Sequence, residues 1–319
     1  MAAVDGAQIQ EQLYAGDLLV AVAVAAEGLT PTGRLGEAPA HKAWSRFVNH
    51  DSDNDRLGKA AMVAQELALL RGLPHDMCIL DGSHQTPVIV LNSVLASQSR
   101  EVRLHAVEVL RENDAVAALA ALCDPATGGK IVACPKADSS RDLGVLLTDR
   151  LAQVKSFNLP ATDKVLASLV LEPGEMFKAF QVPAQWANLH IKMRDDVDER
   201  QEPGLKLLAR DLNKAIQPLR DRKIRITYAK PPACNTAVKI EFKDWKGPDW
   251  RRQTGAMIAA ETPAPHLQEP FAQHLADQWA KSIGVGVQAQ LQGVRLDLTD
   301  SRNPTFLEYL VRSYRTFGG

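Results

Sequence analysis

The stretch MCILDGSH, residues 77–84, gives the clearest structural signal in the chain. Its four apolar residues precede turn formers, which is typical of a short buried strand. The run ends at Asp81, followed by Gly82 and Ser83. A carboxylate at the end of a buried strand is held rigidly, as a metal ligand or catalytic group must be. Asp-Gly is equally a favoured turn pair, and the apolar residues 87–91 could be the returning strand of a hairpin.

Apolar segments elsewhere place this strand in a sheet. Residues 18–26, LLVAVAVAA, lack a polar face and predict a strand covered on both sides. Residues 29–55 and 244–262 are interpreted as loops. Further strands are predicted at 130–134, 186–194, 222–229 and 236–243, and helices at 56–71, 99–112, 114–122, 141–153, 163–170, 203–215, 267–283 and 304–315. Because strands and helices are interspersed, we expect one α/β domain over residues 1–319, with a mixed sheet flanked by helices.

The composition is that of an ordinary globular protein. The 319 residues are 45% hydrophobic and 24% charged, with a net charge of −1. Nucleic-acid binding would therefore have to come from local basic patches. The four cysteines form no C-x-x-C pair, which favours reduced thiols. The first twelve residues lack a signal-peptide pattern and the longest apolar run is too short to span a bilayer, so we expect a cytoplasmic protein with no membrane association.

Several charged residues follow or interrupt apolar segments. Glu27, Asp81 and Lys136 each come at or just past the end of a predicted strand. Parallel strands that end on the same side bring such residues to one crevice. On the helix 56–71, Glu66 falls within the apolar stripe, where a carboxylate needs a partner such as a divalent cation. The alternative is that Glu66 lies at the edge of the stripe and pairs with an arginine of its own helix.

The order of these motifs resembles the NurA nuclease family. In that family an apolar strand ends in an acid, a helix carries a glutamate, and a second strand ends in Asp-Gly-Ser. A later strand ends in a lysine followed by serines, and a late helix carries a histidine or an acid. The matching segments are VAVAAEGL (22–29), KAAMVAQELALL (59–70), CILDGSHQTPVIVLNS (78–93), KIVACPKADSSRDL (130–143) and EPFAQHLADQWA (269–280). The resemblance covers about residues 17–285.

The resemblance implies an RNase H-like (PIWI-like) fold and a DNA nuclease that depends on Mn²⁺ or Mg²⁺. It places metal ligands at Glu27, Glu66, Asp81 and Asp277, with Lys136 as a fifth catalytic residue. Hard oxygen ligands suit these ions, which activate water and neutralise charge in phosphodiester hydrolysis. A lysine there would hold a phosphate or steady the transition state, or would simply be a surface lysine.

Two positions depart from the family pattern. Glu27 stands where the family usually has Asp, and Glu269 stands where it has tyrosine. Asp277 also has a plain alternative, an ion pair with Lys281 four residues later on the same helix.

The resemblance further implies partners. It predicts a homodimer that works on DNA with a HerA-like hexameric ATPase, as a 5′-to-3′ exonuclease with endonuclease activity as an option, in end resection or defence against phage. One alternative is a catalytically weakened scaffold or DNA clamp for the translocase. Another is an unrelated α/β metallo-hydrolase that acts on small phosphate esters.

Two further segments are candidates for contacts. Interleaved aromatic and basic residues suit single-stranded DNA, although tryptophans also anchor loops. The candidates are Trp245, Lys246, Trp250, Arg251, Arg252 and, on the late helix, His274. The segment 306–317 has an apolar stripe at helical spacing, which predicts a dimer interface or packing on the core.

Overall fold

The computed structural model describes residues 1–36, 40–124, 128–137, 140–144, 161–181, 189–194, 197–198, 200–221, 224–243 and 246–299. The predicted helix 304–315, the apolar stripe of 306–317, most of the predicted helix 141–153 and the candidate DNA contact Trp245 lie outside these residues.

The chain begins with a long hairpin and then mixes helices with short strands. The strands are β1 (Ala2–Leu13), β2 (Gly16–Glu27), β3 (Ala40–Val48), β4 (Cys78–Asp81), β5 (Ile131–Cys134), β6 (Phe180–Gln181), β7 (Ile224–Ala229) and β8 (Val238–Lys243). The helices are α1 (Asn54–Gly72), α2 (Thr86–Leu95), α3 (Arg100–Glu112), α4 (Ala115–Cys123), α5 (Asp163–Val170), α6 (Leu205–Ala215), α7 (Gln217–Asp221), α8 (Pro248–Ala260) and α9 (Phe271–Thr299).

These strands form one mixed sheet in the order β3-β2-β1-β4-β5-β8-β7-β6. Strands β1, β4 and β5 run parallel, whereas β2 runs antiparallel to β1 and β8 antiparallel to β5. The expected α/β fold, a mixed sheet flanked by helices, is confirmed. The register sets Val4 opposite Leu80, so Asp5 and Asp81 come next at the same level of two neighbouring strands.

Helices cover both faces of the sheet. Along β4, Leu80 points into the larger core with α1 to α4, while Ile79 points to the opposite face, covered by α8 and α9. All four cysteines are buried and free, in agreement with the reduced thiols expected from the sequence. Within the part of the chain that the structure describes, no helix is both long and apolar enough to cross a bilayer.

The hairpin interpretation of Asp81-Gly82 is wrong. Residues 86–95 form α2, so the turn leads from a strand into a helix. Pro87 in the first turn suits a helix start, and Gly82 supplies the positive φ of the turn, 78°. The β-branched residues of this segment favour a strand locally. The segment nevertheless forms a helix, because the helix buries Val88, Leu91 and Val94 against the core.

Further segments differ from the sequence interpretation. The supposed loop 29–55 contains β3, an edge strand whose apolar and polar residues do not alternate and whose exposed side chains include Ala43 and Phe47. The supposed loop 244–262 contains α8, which starts at Pro248. Residues 189–194, the described part of the predicted strand 186–194, form no strand.

Candidate functional site

A cluster of charged side chains lies where β4 and β5 end, beside the middle of β1. The Nζ of Lys136 is at its centre. It is 2.6 Å from Asp5 Oδ2, 3.0 Å from Asp277 Oδ1, 3.1 Å from Glu269 Oε2 and 3.6 Å from Asp81 Oδ2. These acids come from β1, β4, α9 and the segment before α9, so the fold itself gathers them. We call Asp5, Glu66, Asp81, Lys136, Glu269 and Asp277 the carboxylate cluster.

Asp5 is the member that sequence reasoning missed. It is buried, and its Oδ1 accepts a hydrogen bond from the Gly6 amide at 2.8 Å. Burial and the charge of Asp81 raise the pKa of Asp5 to about 7, although Lys136 lowers it. The run Ala2-Ala3-Val4 ends in Asp5-Gly6 just as the run before Asp81 ends in Asp-Gly. That shared pattern could have identified it.

Glu66 reaches the cluster from the other face of the sheet. It is buried on α1, as its place in the apolar stripe predicts. Gly6 makes room for it, because a Cβ there would overlap Glu66 Oε1 and lie 2.5 Å from Met62 Cγ. Burial, then the charges of Asp5 and Asp81, raise the pKa of Glu66 well above its usual value.

The alternative partners for Glu66 are engaged elsewhere. Arg56 pairs with Asp53 at 3.4 Å, and Arg71 pairs with Asp114 at 2.6 Å. The alternative of an ion pair with an arginine of its own helix is therefore wrong.

Helix α9 holds Asp81 and contributes Asp277. The buried amide of Gln273 donates hydrogen bonds to Asp81 Oδ1 and to the carbonyl oxygen of Cys134, the latter at 3.0 Å. Asp277 forms the ion pair with Lys281 that was the alternative for it, at 2.7 Å, and its other oxygen lies 3.0 Å from Lys136 Nζ. Although burial raises the pKa of Asp277, hydrogen bonds from the two lysines lower it below its usual value.

A buried network fixes the turn after Asp81. Glu241 on β8 accepts hydrogen bonds from Ser83 Oγ at 2.9 Å and from the His84 amide at 3.1 Å. Lys239 Nζ lies 3.5 Å from the other oxygen of the same carboxylate. Burial raises the pKa of Glu241, yet the interactions with His84, Lys239 and Ser83 lower it overall. The Gly-Ser-His sequence thus ties the end of β4 to β8.

Glu27 does not join the cluster. It pairs with Ala2, three residues before Asp5, or about 10 Å along the strand. Its carboxylate lies 2.6 Å from His75 Nε2 and accepts the Gly33 amide at 2.9 Å. Burial raises the pKa of Glu27, but hydrogen bonds from His75 and from residues 32–33 outweigh it and lower this pKa to about 2. The expectation that Glu27 converges with Asp81 is wrong, because β2 runs antiparallel to β1 and β4.

The candidate DNA contacts divide into two groups. His274 lies at the rim of the cluster, with Nδ1 3.4 Å from Glu269 Oε1. The described residues of 246–252 lie instead on the β7–β8 side of the sheet. Trp250 packs edge-on against Phe242, with ring centroids 5.9 Å apart, and Lys246 Nζ lies 4.6 Å from the Trp250 centroid. Trp250 is therefore an anchor, while Arg251 and Arg252 line an adjacent cavity.

The donor set fits a hard divalent cation. Four carboxylates lie within 3.6 Å of one central ammonium, Glu66 is buried beside them, and Lys281 lies at the rim. Burial, and after it the charges of neighbouring carboxylates, raise the pKa values of Asp5 and Glu66. Oxygen-only ligands of this kind suit Mg²⁺ and Mn²⁺. In the described ranges, no three acids, histidines or cysteines are already arranged to hold an ion. Instead, the Nζ of Lys136 lies at the centre of the carboxylate cluster.

Comparison with known proteins identifies the fold. No family model and no curated protein matches the sequence. The crystal structure of the NurA nuclease from Sulfolobus solfataricus is similar, with 13% identity and a TM-score of 0.55, over 92% of this chain and 84% of that one. A second crystal structure of NurA has 11% identity and a TM-score of 0.50, over 96% and 89%. The resemblance seen in the motifs is thus confirmed at the level of the fold.

Proposed function

Because the chain has the fold of the NurA nuclease structures, we propose that it is a DNA nuclease that depends on a divalent metal ion. The observation that carries this proposal is the convergence of four carboxylates on one point, within 3.6 Å of Lys136 Nζ. Buried acids held this close together destabilise the fold unless a cation compensates them, and such groups concentrate at functional sites.

The metal ligands in this proposal are Asp5, Glu66, Asp81 and Asp277, and the ion is Mn²⁺ or Mg²⁺. Asp5 takes the place that the sequence assigned to Glu27. The ion would supply an activated water and would neutralise charge on the phosphodiester.

The protein residues have separate tasks in this proposal. Gln273 and the Ser83–Glu241 contact hold Asp81 in place. Lys136 gathers the acids and offers ammonium hydrogens to a phosphate oxygen of the substrate. Burial, then the charges of Asp5 and Asp81, raise the pKa of Glu66 well above its usual value, so binding of a cation at Glu66 must compete with a proton.

The proposal extends to the partners and the pathway that the family resemblance implies. These are a homodimer, a HerA-like hexameric ATPase, 5′-to-3′ cleavage, and end resection or phage defence, and they rest on that resemblance alone. Co-purification of the chain with such an ATPase, followed by sedimentation of the complex, tests the assembly. Deleting residues 304–319 tests the candidate dimer segment. A folded monomer would support an interface there, and an aggregated product would contradict it.

The function itself is tested by cleavage of end-labelled linear DNA, single- and double-stranded, in MnCl₂, MgCl₂ or EDTA. We expect metal-dependent shortening by the wild type and only background cleavage by Asp81→Asn. The thermal midpoint of this variant should be unchanged or higher, because one like charge leaves the cluster. The control is Asp76→Asn, the same change at a residue with a 94% exposed side chain.

The other possible results would each count against this function or support a different one. Full activity of Asp81→Asn would remove the carboxylate cluster from the mechanism. DNA binding without cleavage would support the scaffold or clamp. Hydrolysis of a chromogenic phosphodiester without any action on DNA would support the small-ester hydrolase.

A further inference from the structure

A basic pocket of about 630 Å³ lies beside β7 and β8. It is on the same face of the sheet as Asp277 and Gln273, but three strands away from β4, or about 14 Å. Its charged lining residues are Lys178, Arg225, Arg251, Arg252 and one acid, Asp249. We call this cavity the basic pocket.

The fold brings these cations together from three segments. Alternation along β7 sends Ile224 and Ile226 into the main core, so Arg225 points to the opposite face. Arg225 is in register with Phe242 of β8, which forms part of the floor. Helix α8 packs on these two strands and adds its arginines. The segment before β6 forms the remaining wall.

The charge of the pocket differs from that of the whole chain. The chain has a net charge of −1, whereas the pocket has four cationic side chains against one acid. That acid, Asp249, is already paired with Arg252 at 3.2 Å. The pocket is therefore suited to a ligand with negative charge.

The apolar lining restricts the ligand further. Met176, Phe177 and Pro248 line the cavity next to the cations, while Phe242, which also borders the cavity, is fully buried. A simple inorganic anion has no use for such a surface, whereas a nucleotide has a charged phosphate and a flat base. Arginines can bind a phosphate, and apolar or aromatic side chains can contact a base. Neither kind of contact depends on the base sequence of the DNA.

We propose that the basic pocket binds one nucleotide unit of a single-stranded DNA segment, with the phosphate at the cations and the base against the apolar wall. This inference rests on the proposed nuclease function and adds to it. The pocket would hold a part of the strand that lies away from the bond being cut.

The test is the binding of a fluorescein-labelled twelve-nucleotide oligo(dT), followed by fluorescence anisotropy in EDTA over a series of NaCl concentrations. The pocket variant is Lys178→Gln/Arg225→Gln/Arg252→Gln. We expect its affinity to fall about tenfold or more. The slope of log K against log salt should fall by about 0.7, the contribution of one phosphate on a single strand, because the pocket holds one nucleotide unit.

The control variant is Lys206→Gln/Arg210→Gln/Lys214→Gln, which removes the same charge from exposed positions on α6. It should bind like the wild type. If the pocket variant melts early, the double variant Lys178→Gln/Arg252→Gln replaces it, with an expected fall in slope of at most about 0.7. Both of those residues are exposed.

An unchanged slope in the pocket variant, or an equal loss in the control, overturns the proposal. Competition with dAMP and with inorganic phosphate tests the ligand. Stronger displacement by dAMP supports a nucleotide site, and equal displacement overturns the base contact. Because EDTA prevents cleavage, the two proposals fail separately. If the wild type cuts DNA but the pocket variant has the wild-type salt slope, only the pocket proposal fails. If the pocket variant changes the slope but the wild type never cuts DNA, only the proposed nuclease function fails.

Discussion

Replacing Lys136 by methionine removes the central ammonium from the carboxylate cluster and keeps a side chain of similar length. Four carboxylates lie within 3.6 Å of this one charge, so their contacts do not add as independent pairs. Removing one partner of a buried ion pair costs about 3–5 kcal/mol. The lower end applies because the side chain is 32% exposed. We therefore expect a loss of about 3 kcal/mol near neutral pH, or about 4 °C in the thermal midpoint for a chain of this size.

The loss should depend on pH and on metal. At about pH 5 the loss should shrink, because Asp5, whose pKa is raised to about 7, then carries a proton and repels its neighbours less. A divalent cation should reverse it, since an ion at one hundred times its Kd stabilises the folded state by about 2.7 kcal/mol. The gain from metal should be larger in Lys136→Met than in the wild type, where the ammonium competes for the same place.

Thermal unfolding in EDTA and in MgCl₂, at acidic and neutral pH, measures these effects. Lys281→Met is the matched control, because Lys281 pairs with Asp277 at 2.7 Å but its side chain is 66% exposed. It should cost less than about 1 kcal/mol. Equal midpoints for the two variants, or equal gains from metal in Lys136→Met and the wild type, would refute the central role given to Lys136.

Three further variants test other parts of the site. The raised pKa of Asp5, about 7 against an ordinary 3.8, means that its contribution to stability falls as pH rises between those values. Asp5→Asn should flatten this decline, worth up to about 4 kcal/mol, and abolish cleavage. Gly6→Ala should displace the Glu66 carboxylate, lowering cleavage sharply and the midpoint by a few degrees. Glu27→Ala should keep cleavage near the wild-type rate, yet lower the midpoint because buried His75 loses its partner.

Each of these variants has a result that would count against the structure. The structure would be contradicted if the stability of Asp5→Asn had the wild-type pH dependence, or if Gly6→Ala cut DNA at the wild-type rate. Loss of cleavage in a folded Glu27→Ala would return that residue to the catalytic set. Gly286→Ala is the control for the glycine change, because nothing lies near its Cβ position and alanine favours the helix.

The sequence was informative where burial and local pattern agree. The strand before Asp81 and the helix around Glu66 have hydrophobic patterns that only one structure satisfies, and both are found. Lys136 and Asp277 were placed by motif order, and the fold brings both next to Asp81.

The misassignment of Glu27 had a different cause. Strand direction is a property of pairing and not of local sequence. The antiparallel pairing of β1 and β2 places Glu27 beside Ala2, at the start of β1, whereas Asp5 lies beside Asp81. Strand β1 itself was missed because only Ala2, Ala3 and Val4 form an apolar run and the rest of it is polar.

Polar residues in buried strands are a second feature that local sequence does not explain. Lys239, Glu241 and Lys243 alternate with apolar residues along β8, a pattern typical of a strand with one face in water. All three are buried. Their partners come from distant segments, such as Ser83 for Glu241 and the Leu122 carbonyl for Lys243, and no local pattern announces them.

The placement of Asp5 and Asp277 in the chain has a consequence for biosynthesis. Asp5 lies on the first strand and Asp277 on the last described helix, yet the two side chains meet at the same ammonium. A nascent chain that has completed β1, β4 and β5 still lacks Gln273 and Asp277. Under the proposed function, we therefore expect a fragment that ends before α9 to be inactive, and two separately expressed pieces divided ahead of residue 271 to cut DNA only when they are combined.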